Sequence, residues 1–322
     1  MVKIAIAGAG SALALEVIDK LVEGQQHEVL ALVRKDPAQY PQQQGVTWAR
    51  ASFDDKAELV EYFKGVEVVL NFIVVNNDPE NTVGKLLIDA AVEAGVKRFA
   101  PSEWAMGQKL ADIIDKVPWY KSKLAIQRYL AEINKDKKVI EYTLFQVGQF
   151  LEYIGYPHQP LKHVPIFSIG YMLEDEQPRI VSTRGREDEP LVFTSVGDIA
   201  GVVRRAVEYE GEWPVIGGVA GNKISPRQVQ KIVERIRGKP VALDLAEEAD
   251  IEAGILKVDV PPLTHPSIPE DQREAFHAPG WTGILYAAAK GAWVVSDEWN
   301  KLLPDYKFLS VEEFAQKLWG QK

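Results

Sequence analysis

Val2-Lys-Ile-Ala-Ile-Ala-Gly8-Ala-Gly10-Ser11-Ala-Leu13-Ala14 opens the chain, and its reading decides the fold. An apolar run broken only by Lys3 meets two glycines. Residues 12–21 follow, with Leu13, Val17, Ile18 and Leu21 at helical spacing. Strand, tight glycine turn and helix, in that order, begin a dinucleotide-binding βαβ unit. Glycine lets backbone N–H groups approach a pyrophosphate closely, and a helix N-terminus offers it unpaired donors and partial positive charge. The frame Gly8, Ser11, Ala14 fits the turn better than G-x-G-x-x-G, where Leu13 stands in the last glycine's place. Ala14 is small enough for close helix–strand packing, Ser11 can turn its hydroxyl toward a phosphate, and Ala12 and Leu13 present their N–H groups at the helix start.

The 322 residues suffice for a large buried core, in one domain or two closely joined ones. No stretch approaches the about 20 uninterrupted apolar residues of a membrane span, and the N-terminus is expected to enter a strand rather than a signal peptide. The absence of cysteine excludes disulfides, thiolate metal sites and cysteine nucleophiles, and agrees with a cytoplasmic location. The net charge of −9 is uneven: 18 basic and 20 acidic residues in 1–150, against 19 and 26 in 151–322. A nucleic-acid surface needs clustered Lys and Arg instead, so that class is set aside.

Residues 29–33 read as a second strand with Arg34-Lys35 at its end. An NAD-selective fold usually carries an acidic side chain there, whereas two cations favour a 2′-phosphate and therefore NADPH/NADP+. Residues 46–51 are a third strand. Ser52-Phe53-Asp54-Asp55 then makes a turn where an adenine can rest and a helix over 58–63 can be capped. A buried central strand is expected over 66–75, a helix over 81–94, a strand over 96–100 stopping at Pro101, a helix over 121–133 and a sixth strand over 140–145. Alternation at this spacing predicts an α/β fold, a Rossmann-type doubly wound parallel sheet of order 3-2-1-4-5-6. Ligands bind at the carboxyl ends of such strands. A coenzyme is thus expected against residues 8–13, Arg34, Lys35, Ser52, Phe53, Phe72 and Ile73, reaching toward Val147, Gly148 and Phe150.

After Phe150 the composition shifts toward Pro, Tyr and His. A hairpin through 180–183 and 191–194 is expected, then a helix to 207, a return to the main sheet at 215–216, a helix over 225–237 and further helices beyond 240. The division is an NADP(H)-binding domain over 1–150, completed by 194–220, and a smaller C-terminal α+β substrate domain over 151–322.

Lys123 starts a helix near the sheet's carboxyl edge, where a partly desolvated lysine can hydrogen-bond a nicotinamide ribose and give or take a proton. A surface lysine, with Lys121 two residues earlier, is an equal reading of the residues alone. The pair Tyr-x-x-x-Lys is missing here, because Trp119 stands four residues before Lys123 and Tyr120 is out of register. The literal match Tyr286-Ala-Ala-Ala-Lys290 lies in the second half and reads as chance. His158 and His163 can line a pocket walled by Phe150, Tyr153 and Tyr156. The five histidines show no metal spacing, so no metal is expected. Ser102-Glu103 lacks the elbow an acyl-transfer serine needs.

The glycine turn, Arg34-Lys35, Arg98-Phe-Ala-Pro101-Ser102-Glu103-Trp104, the helix Lys123-x-x-Ile126-x-x-x-Leu130, Ser195-Val-Gly-Asp198-Ile-Ala and Trp213-Pro-x-Ile-Gly217-Gly218 come in one order. Over residues 1–220 they resemble the NmrA-like, isoflavone-reductase-like branch of the atypical short-chain dehydrogenases. The resemblance implies an NADPH-dependent reductase with Lys123 as general acid/base; Lys121 matches no family position. Ser11 and Ala14 replace family glycines. Trp104, a candidate substrate contact, replaces a phenylalanine, and Ala105 the glycine after it, which is expected to reshape the nicotinamide side of the pocket. The fourth-strand end, Phe72-Ile-Val-Val, is unusually bulky. The expected activity is reduction of a C=C, C=N or C=O bond in an aromatic or alkaloid-like small molecule of specialised metabolism, with a homodimer left open. The alternatives are a non-catalytic redox sensor reporting to a protein partner, and a coenzyme-assisted cyclase. The intact lysine and the aromatic stretch 150–172 favour an enzyme.

Overall fold

The computed structural model describes residues 1–74, 78 and 80–320. The opening run forms β1 (Val2–Ala7), whose alternation sorts Ile4 and Ile6 into one layer and Ala5 and Ala7 into the other, all fully buried. A strand covered on both faces belongs in the middle of a sheet. Around it lie β2 (His27–Val33), β3 (Val46–Arg50), β4 (Val68–Asn71), β5 (Arg98–Ala100) and β6 (Glu141–Tyr142). All are parallel, in the expected order β3-β2-β1-β4-β5-β6. Helix α1 (Ala12–Val22) covers the isoleucine face; α2 (Lys56–Phe63), α3 (Thr82–Glu93) and α4 (Lys121–Ile133) cover the alanine face. From the second half of the chain, α5 (Val196–Glu208) returns to pack beside α1, bringing Ile199, Val202 and Val203 against Val17, Ile18 and Leu21.

Four expectations are corrected. The central strand is shorter than 66–75: Gly8 turns β1 out of the ladder just after Phe72 N–H meets the Ala7 carbonyl, so no partner continues the pairing. Val75 and Asn76, expected at its end, lie outside the described residues. The strand over 140–145 is two strands. Beyond Tyr142 the neighbour β5 has ended at Pro101, which has no N–H to give. The chain therefore changes partner, and β7 (Leu144–Gln146) pairs with β12 (Ile216–Gly218) in a two-stranded sheet, so the return expected at 215–216 meets β7 and not the six-stranded sheet.

The hairpin over 180–183 and 191–194 does not form. Strand β10 (Arg179–Thr183) lies between β9 (Tyr171–Met172) and β14 (Ala242–Ala246), while β11 (Leu191–Thr194) lies between β8 (Gln149–Phe150) and β13 (Asn222–Ile224). Most of β10 and all of β11 are buried, without the solvated face an independent hairpin presents. These two small sheets pack with α6 (Pro226–Arg237) and α8 (Arg273–Ala289) and with α10 (Val311–Trp319); α7 (Glu248–Glu252) and α9 (Glu298–Leu302) are short connectors.

Candidate active site

The glycine turn closes on itself, with Ser11 N–H donating to the Gly8 carbonyl at 3.0 Å and Ala9 N–H to Leu32 at 3.2 Å. Gly8 has φ +72°, and a Cβ there would stand 2.8 Å from the Ile73 nitrogen, so both conformation and space demand glycine. Ser11 takes the N-cap place of α1 in extended backbone, yet its side chain caps nothing. Its hydroxyl is buried without a hydrogen-bond partner among the described residues, and no acidic side chain occupies the first turn of α1. Uncommitted N–H groups at Ala12 and Leu13, a free hydroxyl and the positive end of a helix form a cradle that fits a pyrophosphate. Ala14 is fully buried against the sheet. Arg34 and Lys35 are exposed beyond β2 and make no ion pair or hydrogen bond with the described residues.

At the other strand ends, aromatic packing overturns several expectations. Phe53 has φ +64° and buries its ring among Leu59 and Phe63, so only its backbone remains at the turn proposed for the adenine. Ser52 is engaged with Glu58, through its N–H at 3.2 Å and its hydroxyl at 3.0 Å. Trp104, φ +38°, stacks on Phe72 at 4.4 Å on one face and on Phe145 at 5.1 Å on the other, and its indole N–H donates to Asn71 O at 2.9 Å. With both faces covered, Trp104 is a core residue and not a substrate wall. Val147 is buried, and its N–H and that of Gly148 both donate to Ala105 O. A Cβ on Gly148 would stand 2.3 Å from Val192 O, so this glycine serves the approach of β11.

Lys123 is the third residue of α4, and its side chain is 6% exposed, whereas Lys121 is fully on the surface side. Its ammonium donates to the carbonyl of Ser102 at 2.8 Å and also to that of Glu103, both at the carboxyl end of β5. It lies 5.1 Å from the centroid of the Tyr120 ring. Burial lowers its pKa from 10.5 to about 8, against the opposing pull of the Glu103 carboxylate. Burial raises the Glu103 pKa in turn; Lys123 and a 2.8 Å hydrogen bond from Gln127 work the other way. A small recess beside the amine is lined by Asn71, Ile73, Asn81, Ser102, Ser122 and Lys123. Ile73, which lines this recess, also borders the glycine turn: its nitrogen is the atom 2.8 Å from a Cβ on Gly8.

Beside Lys123, burial pushes the Tyr120 phenol up to about 12. Burial also raises the Tyr153 phenol, with Tyr120 and Glu152 adding to it. Tyr153 stacks on Phe150 at 5.4 Å and meets Phe167 at 4.6 Å; His265 stands edge-on to Phe167 at 5.2 Å, and burial lowers its pKa. Phe150 and Tyr153 thus share an aromatic wall with Tyr120, Phe167 and His265, three residues the sequence did not single out for it. The histidine pocket is corrected. His158 faces Glu174 at 3.4 Å and Trp319, and His163 faces Asp19 of α1 at 3.0 Å, so neither lines the recess. Tyr156 is half-buried and makes no ring contact among the described residues. Among the described residues no His, Asp or Glu cluster is arranged for a metal, and no helix is long and apolar enough to cross a membrane.

The family model described as NmrA-like matches residues 2–315. The oxidoreductase swnN of Metarhizium robertsii is 25% identical over 284 residues, 77% of each chain. An isoflavone reductase homologue of Zea mays is 27% identical over 305 residues, 90% of each chain. The fold is shared with an NADPH-dependent quinone oxidoreductase of Escherichia coli solved with NADPH (TM-score 0.69, 22% identity, 98% of this chain and 99% of that one).

Proposed function

The chain belongs to the NmrA-like family, and from that premise we propose that it is an NADPH-dependent reductase of an aromatic small molecule, with Lys123 as general acid. The observation that carries this is the buried Lys123 amine, held at the sheet's carboxyl edge on two carbonyls with its pKa drawn to about 8. A lysine kept for solubility is not placed this way. An amine near neutrality can give a proton readily and regain it from solvent.

The glycine cradle and Ser11 would hold the coenzyme's pyrophosphate, and Arg34 and Lys35 its 2′-phosphate. When bound, NADPH supplies the hydride that reduces a C=C, C=N or C=O bond. Lys123 delivers a proton from Nζ to the substrate atom on which negative charge develops, so one hydride and one proton complete the reduction. The carbonyls of Ser102 and Glu103 orient the amine for that transfer. The rings of Phe150, Tyr153 and Phe167 hold an aromatic substrate and keep water from the reacting bond. In this reading residues 1–150, completed by 194–220, bind the coenzyme, and 151–322 choose the substrate. The cysteine-free composition suits the cytoplasm, and the fungal relative supports a place in specialised metabolism.

The test is NADPH oxidation, followed by absorbance, against a panel of quinones, lignans and isoflavonoids. Turnover of any one by the native chain and its loss in Lys123→Ala supports the reading. Turnover by Lys123→Ala at the native rate overturns the acid role. Tight coenzyme binding with no turnover across the panel favours the sensor.

A further inference from the structure

Gly10 lies against Tyr40. Its backbone does not lie in the left-handed region, so conformation alone does not call for glycine here. Space does: a Cβ would stand 2.6 Å from the hydroxyl oxygen of Tyr40, 2.8 Å from Cε1 and 3.0 Å from Cζ. The chain delivers Tyr40 to this place deliberately. After Arg34-Lys35, the Asp36 carboxylate accepts from Ala38 N–H at 3.0 Å and caps the short turn Pro37–Gln39, whose end is closed by Tyr40 N–H on the Pro37 carbonyl. The Tyr40 ring then stacks on Trp48 of β3, with centroids 4.5 Å apart and planes 11° from parallel. The Trp48 indole N–H fastens the far end of the segment by donating to Pro41 O at 3.0 Å. The ring is therefore fixed, while its hydroxyl makes no hydrogen bond among the described residues and lies over the glycine turn.

Arg34 and Lys35 begin this same segment, and the turn is tied to the end of β2 by Ala9 N–H on the Leu32 carbonyl. One short segment leaving β2 thus carries three uncommitted groups, two exposed cations and a phenol, and the phenol lies against the turn. A phosphomonoester presents negative charge and several acceptor oxygens, and it matches two cations and a neutral donor. We infer that Tyr40 is a coenzyme-specificity residue whose hydroxyl donates to the 2′-phosphate of NADPH alongside Arg34 and Lys35. This inference rests on the NADPH reading above and adds a residue to it. It also gives Gly10 its reason: the missing side chain makes room for the phenol.

The experiment is calorimetric titration of the full chain and of Tyr40→Phe with NADPH, NADH and 2′,5′-ADP. Phenylalanine keeps the stack on Trp48 and removes only the donor. The expected result is an about tenfold rise in Kd for NADPH and for 2′,5′-ADP, with NADH changed less than about twofold. Unchanged NADPH affinity, equal losses for NADPH and NADH, or tighter NADPH binding overturns the inference; the last would mean that the phenol bars the turn. A native chain that binds neither NADPH nor 2′,5′-ADP defeats the coenzyme reading itself, a different outcome from a native chain that binds both and a Tyr40→Phe variant that binds them equally well. As a second measure, Gly10→Ala should weaken NADPH less in a Tyr40→Ala background than in the native one. The same loss in both backgrounds would show that Gly10 does not serve Tyr40.

Discussion

Raising the pH through 8 should remove the proton that Lys123 donates, and replacing Glu103 should move that limit downward. Burial is the larger influence on the amine. Its fall from 10.5 to about 8 means that the folded chain holds the ammonium less well than water does by about 3 kcal/mol. With a pKa near 8, roughly nine amines in ten carry their proton at pH 7 and roughly one in ten at pH 9, so kcat should fall about tenfold per pH unit on the alkaline side. The Glu103 carboxylate resists the fall, and Glu103→Gln, of nearly the same shape, takes that resistance away. The alkaline limb should then begin below 8. Stability follows the same titration with a definite sign. Between about 8 and 10.5 the unfolded chain binds more protons at this site than the folded one, so the site's contribution to stability rises with pH across that window. Below it both states are protonated and the unfavourable contribution is constant. The assay need not await a substrate: the 15N resonance of the Lys123 amine, assigned by its loss in Lys123→Arg, reports the titration directly. A midpoint at 10.5 or above, or a Glu103→Gln midpoint equal to or higher than the native one, would refute the reasoning.

Lys123→Ala should lower kcat by about a hundredfold or more while the Kd for NADPH, measured by calorimetry, stays within about threefold. Arg34→Ala should weaken NADPH about tenfold or more and leave NADH nearly unchanged; parallel losses would mean that Arg34 reads no 2′-phosphate. Gly148→Ala must fit a methyl group 2.3 Å from Val192 O at φ +70°, and denaturant unfolding should show a loss of about 3 kcal/mol. Trp104→Phe leaves the stack on Phe72 and Phe145 but deprives Asn71 O of its donor, which should lower the unfolding free energy by about 1–3 kcal/mol.

What could be read in advance depended on interactions that repeat at short range. The apolar alternation of β1, the helical spacing after the glycine turn and the regular return of strand and helix specify which faces are buried, and from them the order of six parallel strands follows. The choice between Lys121 and Lys123 was different. Two residues on a helix are about 200° apart, so one being buried makes the other exposed, but periodicity does not say which. That is decided by the carbonyls of Ser102 and Glu103, whose place depends on where β5 stops. Strand β14 begins 59 residues after β10 ends, and nothing local to either announces the pairing that replaces the expected hairpin.

Aromatic residues were the least legible because their type is the same whether they wall a pocket or fill a core. Trp104 and Tyr153 both looked like lining; the difference is what covers their faces, and that is a property of three segments at once. Seen along the sequence, the bulky fourth-strand end and the tryptophan after Pro-Ser-Glu are two separate features. In the fold they are one. Phe72 and Trp104 lie parallel at 4.4 Å, Phe145 and Trp299 extend the stack, and the indole N–H closes on the carbonyl of Asn71, the last residue of β4. The extra ring of Trp104 thus braces the end of the strand whose next residues, Phe72 and Ile73, border the glycine turn and the Lys123 recess. Truncating either ring to alanine would leave the other against a gap. The two rings therefore support each other at the end of the strand that leads into Ile73, and neither is a ring offered to substrate.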